Sequence, residues 1–422
     1  MRVHLQMLGC RLNEAELQGW AREFATVGHE MVSQAADADL VVLNTCAVTA
    51  EAARKSRQQI RRARRQNPEA RLVVTGCYGT LEQERAGAEP GVEQVIDNRD
   101  KARLVQLVDP VGTGATRSVE VAGPRLRRGR DRAFVKVQDG CRYSCAYCIV
   151  TVARGDEVSR PATQIVEEVA ALHAAGVNEV VLTGVHVGGY GEELGESLAG
   201  LVGRLLAETA IPRLRLASVE PWAVDSALLD CFADRRLMPH LHLPLQSGAD
   251  PVLRRMARRC RRDDFLRLVE RVRTAVPGIN LTTDVIAGFP GESEADWTQT
   301  VSLVEAVGFG DLHVFPFSPR AGTRAARLPD PVPEATRHAR ARALLELGER
   351  LRRRHLEAQV GRVSEVLLEG DGHEAVSAGY TPDFLRVVLE GSLDAMQRGS
   401  VVPVRLLEVD PGGAALRGAV CT

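Results

Sequence analysis

The stretch DGCRYSCAYC, residues 139–148, places Cys141, Cys145 and Cys148 in a CxxxCxxC spacing. A structural zinc site or a fully ligated iron–sulfur cluster takes four thiolate or imidazole ligands. Here there are three, and no fourth cysteine or histidine follows nearby. Three thiolates on a cubane of four irons leave one iron with an open coordination position. Such a site is incomplete as a structural staple and complete for catalysis, because the open position accepts a substrate. A zinc knuckle short of one ligand is the competing reading of these three residues.

Cys10, Cys46 and Cys77 are far apart in the chain, but each closes a run of strand character: VHLQML, ADLVVLN and ARLVVTG. The C-terminal ends of parallel strands are where ligands gather in an open α/β sheet. The three therefore point to a second cluster with its own open iron, against the alternative of three unrelated buried thiols. The remaining cysteines, Cys231, Cys260 and Cys421, read as uncoordinated thiols packed like small hydrophobes. Nine cysteines so placed do not form the framework of a small disulfide-rich domain.

Residues 1–110 alternate strand and helix, with helices expected over Asn13–Val27, Glu51–Gln66 and from Thr80 onward. That rhythm implies a parallel sheet with flanking helices. A Gly-, Pro- and Arg-rich stretch, residues 108–132, reads as a linker. From Ala133 to His355 the strand–helix alternation recurs about six times, through AFVKVQ, NEVVLTG, RLRLAS, HLHLPLQ, NLTTDVIAGF and DLHVFPFS. An incomplete parallel barrel is expected, with its chemistry at the C-terminal mouths of the strands. Thr183-Gly184, Ser218 to Glu220, Gln246-Ser247-Gly248 and Gly288 to Gly291 fall at those mouths. After residue 359, four short β runs separated by Gly, Asp and Pro read as a small antiparallel barrel.

The 422 residues are 45% hydrophobic and 26% charged, with net charge −1, the composition of a globular protein of two or three domains. No apolar run is long enough to span a bilayer. Arg2, His4 and Gln6 interrupt the N-terminal segment, which reads as a strand of a cytoplasmic protein rather than a signal. Basic residues cluster in three runs: Arg54 to Arg65, Arg125 to Arg132 and Arg254 to Arg262. In a nearly neutral chain such segregation predicts a phosphate-binding face, although one basic run alone is usually a solvated helix face.

These motifs together resemble the radical S-adenosylmethionine methylthiotransferase family over nearly the whole chain. LGCRLNEAE, NTCAVT, VTGCYG, DGCRYSCAYCIV, LTGVHVGGYG, LPLQSG, DVIAGFPGE and FSPRAGT occur in the family's order. The resemblance implies a flavodoxin-like domain (1–110), a partial (βα)6 radical S-adenosylmethionine barrel (130–358) and a C-terminal TRAM-like barrel (359–422). It implies two 4Fe-4S clusters, a radical-generating one on Cys141, Cys145 and Cys148 and an auxiliary one on Cys10, Cys46 and Cys77. Tyr147 would sit beside the adenine of S-adenosylmethionine, and Thr183, Gly184, Ser218, Glu220, Gln246 and Ser247 near its methionine and ribose. Two S-adenosylmethionine molecules per turnover are implied, one donating the methyl group and one yielding a 5′-deoxyadenosyl radical.

The family divides by substrate. RKSRQQIRRARRQNPEARLVVTGCYG and GYTPDFLRV resemble the subfamily that methylthiolates C2 of threonylcarbamoyladenosine beside the anticodon, on its 3′ side. Asp383 and Phe384 stand where that subfamily usually has Asn and Tyr. Isopentenyladenosine in tRNA and an aspartate of a small-subunit ribosomal protein are the alternative substrates, and a non-catalytic, metal-stabilised RNA-binding protein is a more distant reading. The implied partners are a tRNA anticodon stem-loop and an electron donor such as flavodoxin or ferredoxin, with no membrane, for a monomer.

Overall fold

The computed structural model describes residues 1–110, 131–370, 376–389 and 398–421. The N-terminal sheet contains β1 (Arg2–Met7), β2 (Glu30–Met31), β3 (Leu40–Thr45), β4 (Arg71–Thr75) and β5 (Val92–Ile96) in the order β2-β1-β3-β4-β5. All its pairings are parallel, and Met7, Asn44 and Thr75 stand level across β1, β3 and β4. Three chain segments therefore leave the sheet side by side, each carrying a cysteine. Short β2 was not expected from the sequence; with two residues it is too brief to leave a pattern.

Helix α1 (Arg11–Thr26) follows Cys10, α2 (Ala50–Gln66) follows Cys46, and Cys77 lies inside α3 (Gly76–Leu81). Thr49 caps α2 by accepting a hydrogen bond from the Ala52 N–H at 3.1 Å. Ala53, Ser56, Ile60 and Ala63 form the buried stripe of α2, at the spacing of one helical face.

The central region holds β6 (Ala133–Lys136), the ribbon β7 (Gln138–Asp139) with β8 (Val158–Ser159), and then β9 (Glu179–Thr183), β10 (Arg213–Leu216), β11 (His240–His242), β12 (Asn280–Ala287) and β13 (Asp311–Pro316). These give two three-stranded parallel sheets, β10-β9-β6 and β11-β12-β13. Parallel bridges Leu214–Leu237 and Ser218–His242 join them at β10 and β11 into one arc. Alternate residues, including Val135, Leu182, Leu214, Leu241, Leu281 and Leu312, pack outward in one core with the surrounding helices. The other set faces inward. Over the half of the arc nearest β6 that inner face is covered by α1, through Ala15 against Phe134, Val181 and Ala217. Gln18 of α1 accepts the Phe134 N–H at 2.9 Å.

The C-terminal barrel is closed, in the order β14-β15-β16-β18-β17, from β14 (Val363–Gly370), β15 (Val376–Tyr380), β16 (Arg386–Leu389), β17 (Val401–Val409) and β18 (Leu416–Val420). It corrects the expectation of an antiparallel barrel of four runs: β15 is a fifth strand, and β16 pairs with β18 in parallel. An odd number of strands cannot close with every neighbour antiparallel.

This barrel is tied to the arc by buried charge. Glu179, fully buried at the start of β9, meets Arg215 at 3.0 Å, Arg213 at 2.9 Å and Arg132 at 3.7 Å, while Arg132 meets Glu369 of β14 at 2.8 Å. Burial alone would raise the Glu179 carboxyl; the three arginines outweigh it and hold it at about 2. Phe384, at φ 67°, inserts here with its ring 4.9 Å from His240 and 4.6 Å from the Arg215 guanidinium.

Candidate active site

Cys141, Cys145 and Cys148 lie on the loop between β7 and the short helix Val150–Arg154. The loop is pinned from several sides. Cys141 N–H donates to Gly155 O at 3.2 Å, Cys148 N–H to Cys145 O at 3.0 Å, and Ala146 N–H to Met256 O at 2.9 Å. Gly140 has φ +67°, and a Cβ there would collide with the Asp156 carbonyl oxygen. The amide of Gln138 donates to the carbonyls of Asp139 and Gly140, both at 2.7 Å, while its oxygen accepts from the backbone of Val185 and His186. One side chain thus fixes the cysteine loop to the mouth of β9. Burial pushes the thiols of Cys141 and Cys148 up, to about 11 and about 12, so a metal must displace their protons.

The expected S-adenosylmethionine contacts are only partly gathered here. Tyr147 packs edge-on against Phe289 at 6.5 Å, and burial raises its hydroxyl well above the ordinary value. Gly184 touches Gln138, where a Cβ would lie 2.9 Å from its Oε1. Ser218 is exposed at the end of β10. Glu220 pairs with Arg258 at 2.5 Å. Gln246 bridges to Val285 with φ +69°. Thr183 is buried at 2% exposure. Ser247 departs from expectation: it is 1% exposed and its Oγ lies 3.3 Å from Thr300 Oγ1, turned into the helix packing behind the strand.

Other residues complete the wall. Tyr143 stands edge-on to His186 at 4.9 Å and to Trp222 at 5.3 Å, and Arg258 lies 4.7 Å over Trp222. Arg258 also donates to Pro244 O at 2.8 Å and approaches Cys145 Sγ at 3.9 Å. At 3% exposure it is part of this site and not of a phosphate-binding face, so the basic run Arg254 to Arg262 is only partly a surface feature. Trp222 is not among the residues expected from the sequence, and the only local sign of it is EPW, residues 220–222, next to Glu220; the role of Arg258 was hidden because it reads as one more charge in a basic run.

Cys10, Cys46 and Cys77 come together at the edge of the N-terminal sheet. A Cβ on Gly9, at φ +106°, would lie 2.7 Å from Cys46 Cβ, so the first two cysteine loops touch. Cys46 is buried, which raises its thiol to about 11, and the neighbouring Cys77 and Cys10 add to the rise. Ser56 of α2 braces it, accepting the Cys46 N–H at 3.1 Å and donating to its carbonyl at 2.8 Å. Asn98 Nδ2 lies 3.9 Å from Cys77 Sγ and donates to Ala153 O, in the helix after Cys148, at 2.6 Å.

The two triads share a buried ion network. Arg154 donates to Glu16 at 2.9 Å, to Asp139 at 2.9 Å and to Asn13 Oδ1 at 2.9 Å. Lys101 meets the same Glu16 at 2.6 Å, and Lys136 meets it at 3.2 Å. Burial opposes ionisation of Glu16, but Lys101, Arg154 and Lys136 hold it well below the usual carboxylate range. Arg154 thus contacts Asp139, two residues before Cys141, and Asn13, three after Cys10.

Of the basic runs, residues 125–130 lie outside the described residues. On α2, Arg61 pairs with Glu89 at 2.8 Å, Lys55 with Glu51 at 2.8 Å, and Arg57 lies over Tyr78, whereas Arg62 and Arg65 are exposed. No helix among the described residues is long and apolar enough to cross a membrane.

The fold and the three-thiol loop define a radical S-adenosylmethionine protein. Residues 135–304 match the Radical SAM superfamily, and residues 2–97 match Uncharacterized protein family UPF0004. A radical S-adenosylmethionine methyltransferase of Kitasatospora setae, solved with cobalamin and a [4Fe-4S] cluster, shares the fold at TM-score 0.58 and 17% identity, over 77% of each chain. The chain is 36% identical to the threonylcarbamoyladenosine tRNA methylthiotransferase MtaB of Chlamydia pneumoniae, over 97% of this chain and 96% of that one. It is 34% identical to the protein of that name from Bacillus subtilis, covering 96% and 94%. It is also 37% identical to the tRNA-2-methylthio-N(6)-dimethylallyladenosine synthase of Anaeromyxobacter dehalogenans, covering 99% and 94%. The chain belongs to the radical S-adenosylmethionine methylthiotransferase family and is an enzyme of that class.

Proposed function

We propose that the enzyme methylthiolates C2 of threonylcarbamoyladenosine in a tRNA anticodon stem-loop, consuming two S-adenosylmethionine molecules per turnover. The observation that carries this reading is that two three-thiol sites are tied together by one buried side chain, Arg154, which reaches Asp139 beside Cys141 and Asn13 beside Cys10. Each site offers thiolates in a number that leaves one iron of a 4Fe-4S cluster open, so the residues fit two such clusters. Cys141, Cys145 and Cys148 would hold the one that, when bound, supplies the electron for cleaving S-adenosylmethionine; Cys10, Cys46 and Cys77 would hold the one that carries sulfur. The protein's own part is to hold, orient and exclude water. Tyr147, half-buried and backed by the core residue Phe289, offers an aromatic face for an adenine, Glu220 and Ser218 offer acceptors for amino or hydroxyl groups, and α1 shields the inner face.

The threonylcarbamoyl substrate is supported by GYTPDFLRV and by the relatives of that name. A dimethylallyladenosine substrate is the second reading, favoured by the comparable identity to that synthase. We assign residues 1–110, 130–358 and 359–422 as cluster-carrying, radical and TRAM-like domains, the central one as a partial (βα)6 barrel. A monomer acting with a flavodoxin or ferredoxin in the cytoplasm completes the proposal. Nucleoside analysis of tRNA from a strain lacking the gene tests it: 2-methylthio-threonylcarbamoyladenosine should vanish while threonylcarbamoyladenosine accumulates. Loss of the isopentenyl derivative instead would select the second reading.

A further inference from the structure

Helix α1 covers the inner face at β6 and β9, so the β11–β13 half is what a substrate entering between the triads would meet. That half is polar. His242 Nε2 and His313 Nδ1 converge on the same oxygen of Asp284, Oδ1, at 3.2 and 3.1 Å, with their rings stacked at 5.2 Å. His242 Nδ1 is engaged by Thr282 Oγ1 at 2.9 Å, and the same hydroxyl lies 3.1 Å from His240 Nε2. His242 is therefore locked on both nitrogens. His313 is not: its Nδ1 is fixed by Asp284, and the side chain is 50% exposed. The hydrogen bond that His313 donates to Asp284 raises His313 above its ordinary value against the opposing effect of burial, and Asp284 itself is held low. The positive charge of Arg11, one residue after Cys10, opposes protonation of His313 more weakly than Asp284 favours it, and the Arg11 guanidinium lies 5.6 Å from the Phe384 ring.

We propose that His313, oriented by Asp284 and standing beside the cationic Arg11, is a specificity-determining residue that receives an anionic substituent on the target adenine. The inference rests on the substrate reading above, in which that substituent is the carboxylate of the threonylcarbamoyl group. An isopentenyl group has no charge for such a site to meet. Asp284 would repel a carboxylate if it stood alone, but two imidazoles share its charge and turn it into the support for His313. The three groups also lie within 4.8 Å of one another, a spacing that suits a divalent cation. Their mutual hydrogen bonds satisfy them without one.

The experiment compares synthetic anticodon stem-loops carrying threonylcarbamoyladenosine, its uncharged carboxamide analogue and isopentenyladenosine. The reconstituted full-length enzyme is scored by kcat/KM for methylthiolation and by Kd. The wild type should prefer the acid over the carboxamide by roughly 10- to 100-fold, the range of one charge-assisted hydrogen bond. His313→Gln should abolish that preference by lowering kcat/KM for the acid far more than for the carboxamide, and His313→Lys should restore most of it. Full acid preference in a folded His313→Gln variant would overturn the inference alone. So would a wild type that favours threonylcarbamoyladenosine yet treats acid and carboxamide alike. A wild type that favours the isopentenyl stem-loop would overturn the substrate reading, and this inference with it.

Discussion

The two thiol triads reach similar ends by opposite routes. Cys141, Cys145 and Cys148 come from eight consecutive residues held by a glycine turn and one glutamine. Cys10, Cys46 and Cys77 are spread over 68 residues of sequence and meet only because β1, β3 and β4 end level. The first triad is a property of a loop, the second of a sheet register. A one-residue slip in a strand reverses every side chain and would dismantle the second, while the first would survive. Both depend on Arg154, which fastens the loop to α1.

The largest test of this contrast removes one triad at a time. Changing Cys141, Cys145 and Cys148 to Ala should abolish 5′-deoxyadenosine formation and leave about half the iron. Changing Cys10, Cys46 and Cys77 should also leave about half, yet permit uncoupled cleavage of S-adenosylmethionine. Full iron content in the second variant would end the two-cluster reading.

Next in size is the shared brace. Arg154→Ala removes one of three cations around Glu16 and leaves Lys101 and Lys136 in place, so the loss should stay below about 3–5 kcal/mol, the cost of a buried ion pair left with no partner, to be read by urea denaturation of the cluster-free protein. Iron should fall at both triads. Arg258→Ala, which touches only the loop site, should lower iron there alone; equal losses from the two variants would break the comparison.

A finer separation uses the backbone. Gly140→Ala and Gly9→Ala each force a Cβ into a left-handed position and a close contact, at a cost on the order of 1–3 kcal/mol. Electron paramagnetic resonance of reduced protein should lose one cluster signal in each, the loop site in Gly140→Ala and the strand-end site in Gly9→Ala. Loss of both signals in either variant would show that the triads are not separable.

The smallest effect concerns α2, which starts just beyond Cys46. Arg61 is already paired with Glu89, whereas Arg62 and Arg65 are exposed and face solvent from the second half of the helix. Arg62→Gln with Arg65→Gln should reduce the salt slope of tRNA binding by up to about 1.8, at ~0.9 per duplex phosphate contact. The loss should be similar for cognate and non-cognate tRNA, because phosphates carry no base identity. An unchanged slope would assign both arginines to solvent.

Much of this was legible in the chain. Cysteine spacing pointed to the loop triad, because thiols within eight consecutive residues need no fold to become neighbours. Alternating strands and helices predicted parallel sheets, and the cysteine after each strand predicted the second triad, since parallel strands deliver their ends to one edge. The tertiary structure alone decided the remainder. Whether an arginine is a surface charge or a buried brace depends on the carboxylate that folding brings to it, as Arg154 and Arg258 show against Arg62. Ser247 turned away from the site because Thr300, far along the chain, offered its hydroxyl a partner. The pairing of β16 with β18, the insertion of Phe384 beneath the arc and the convergence of His242, Asp284 and His313 all join residues distant in sequence. Such contacts leave no local pattern, because their energy exists only once both partners are desolvated together.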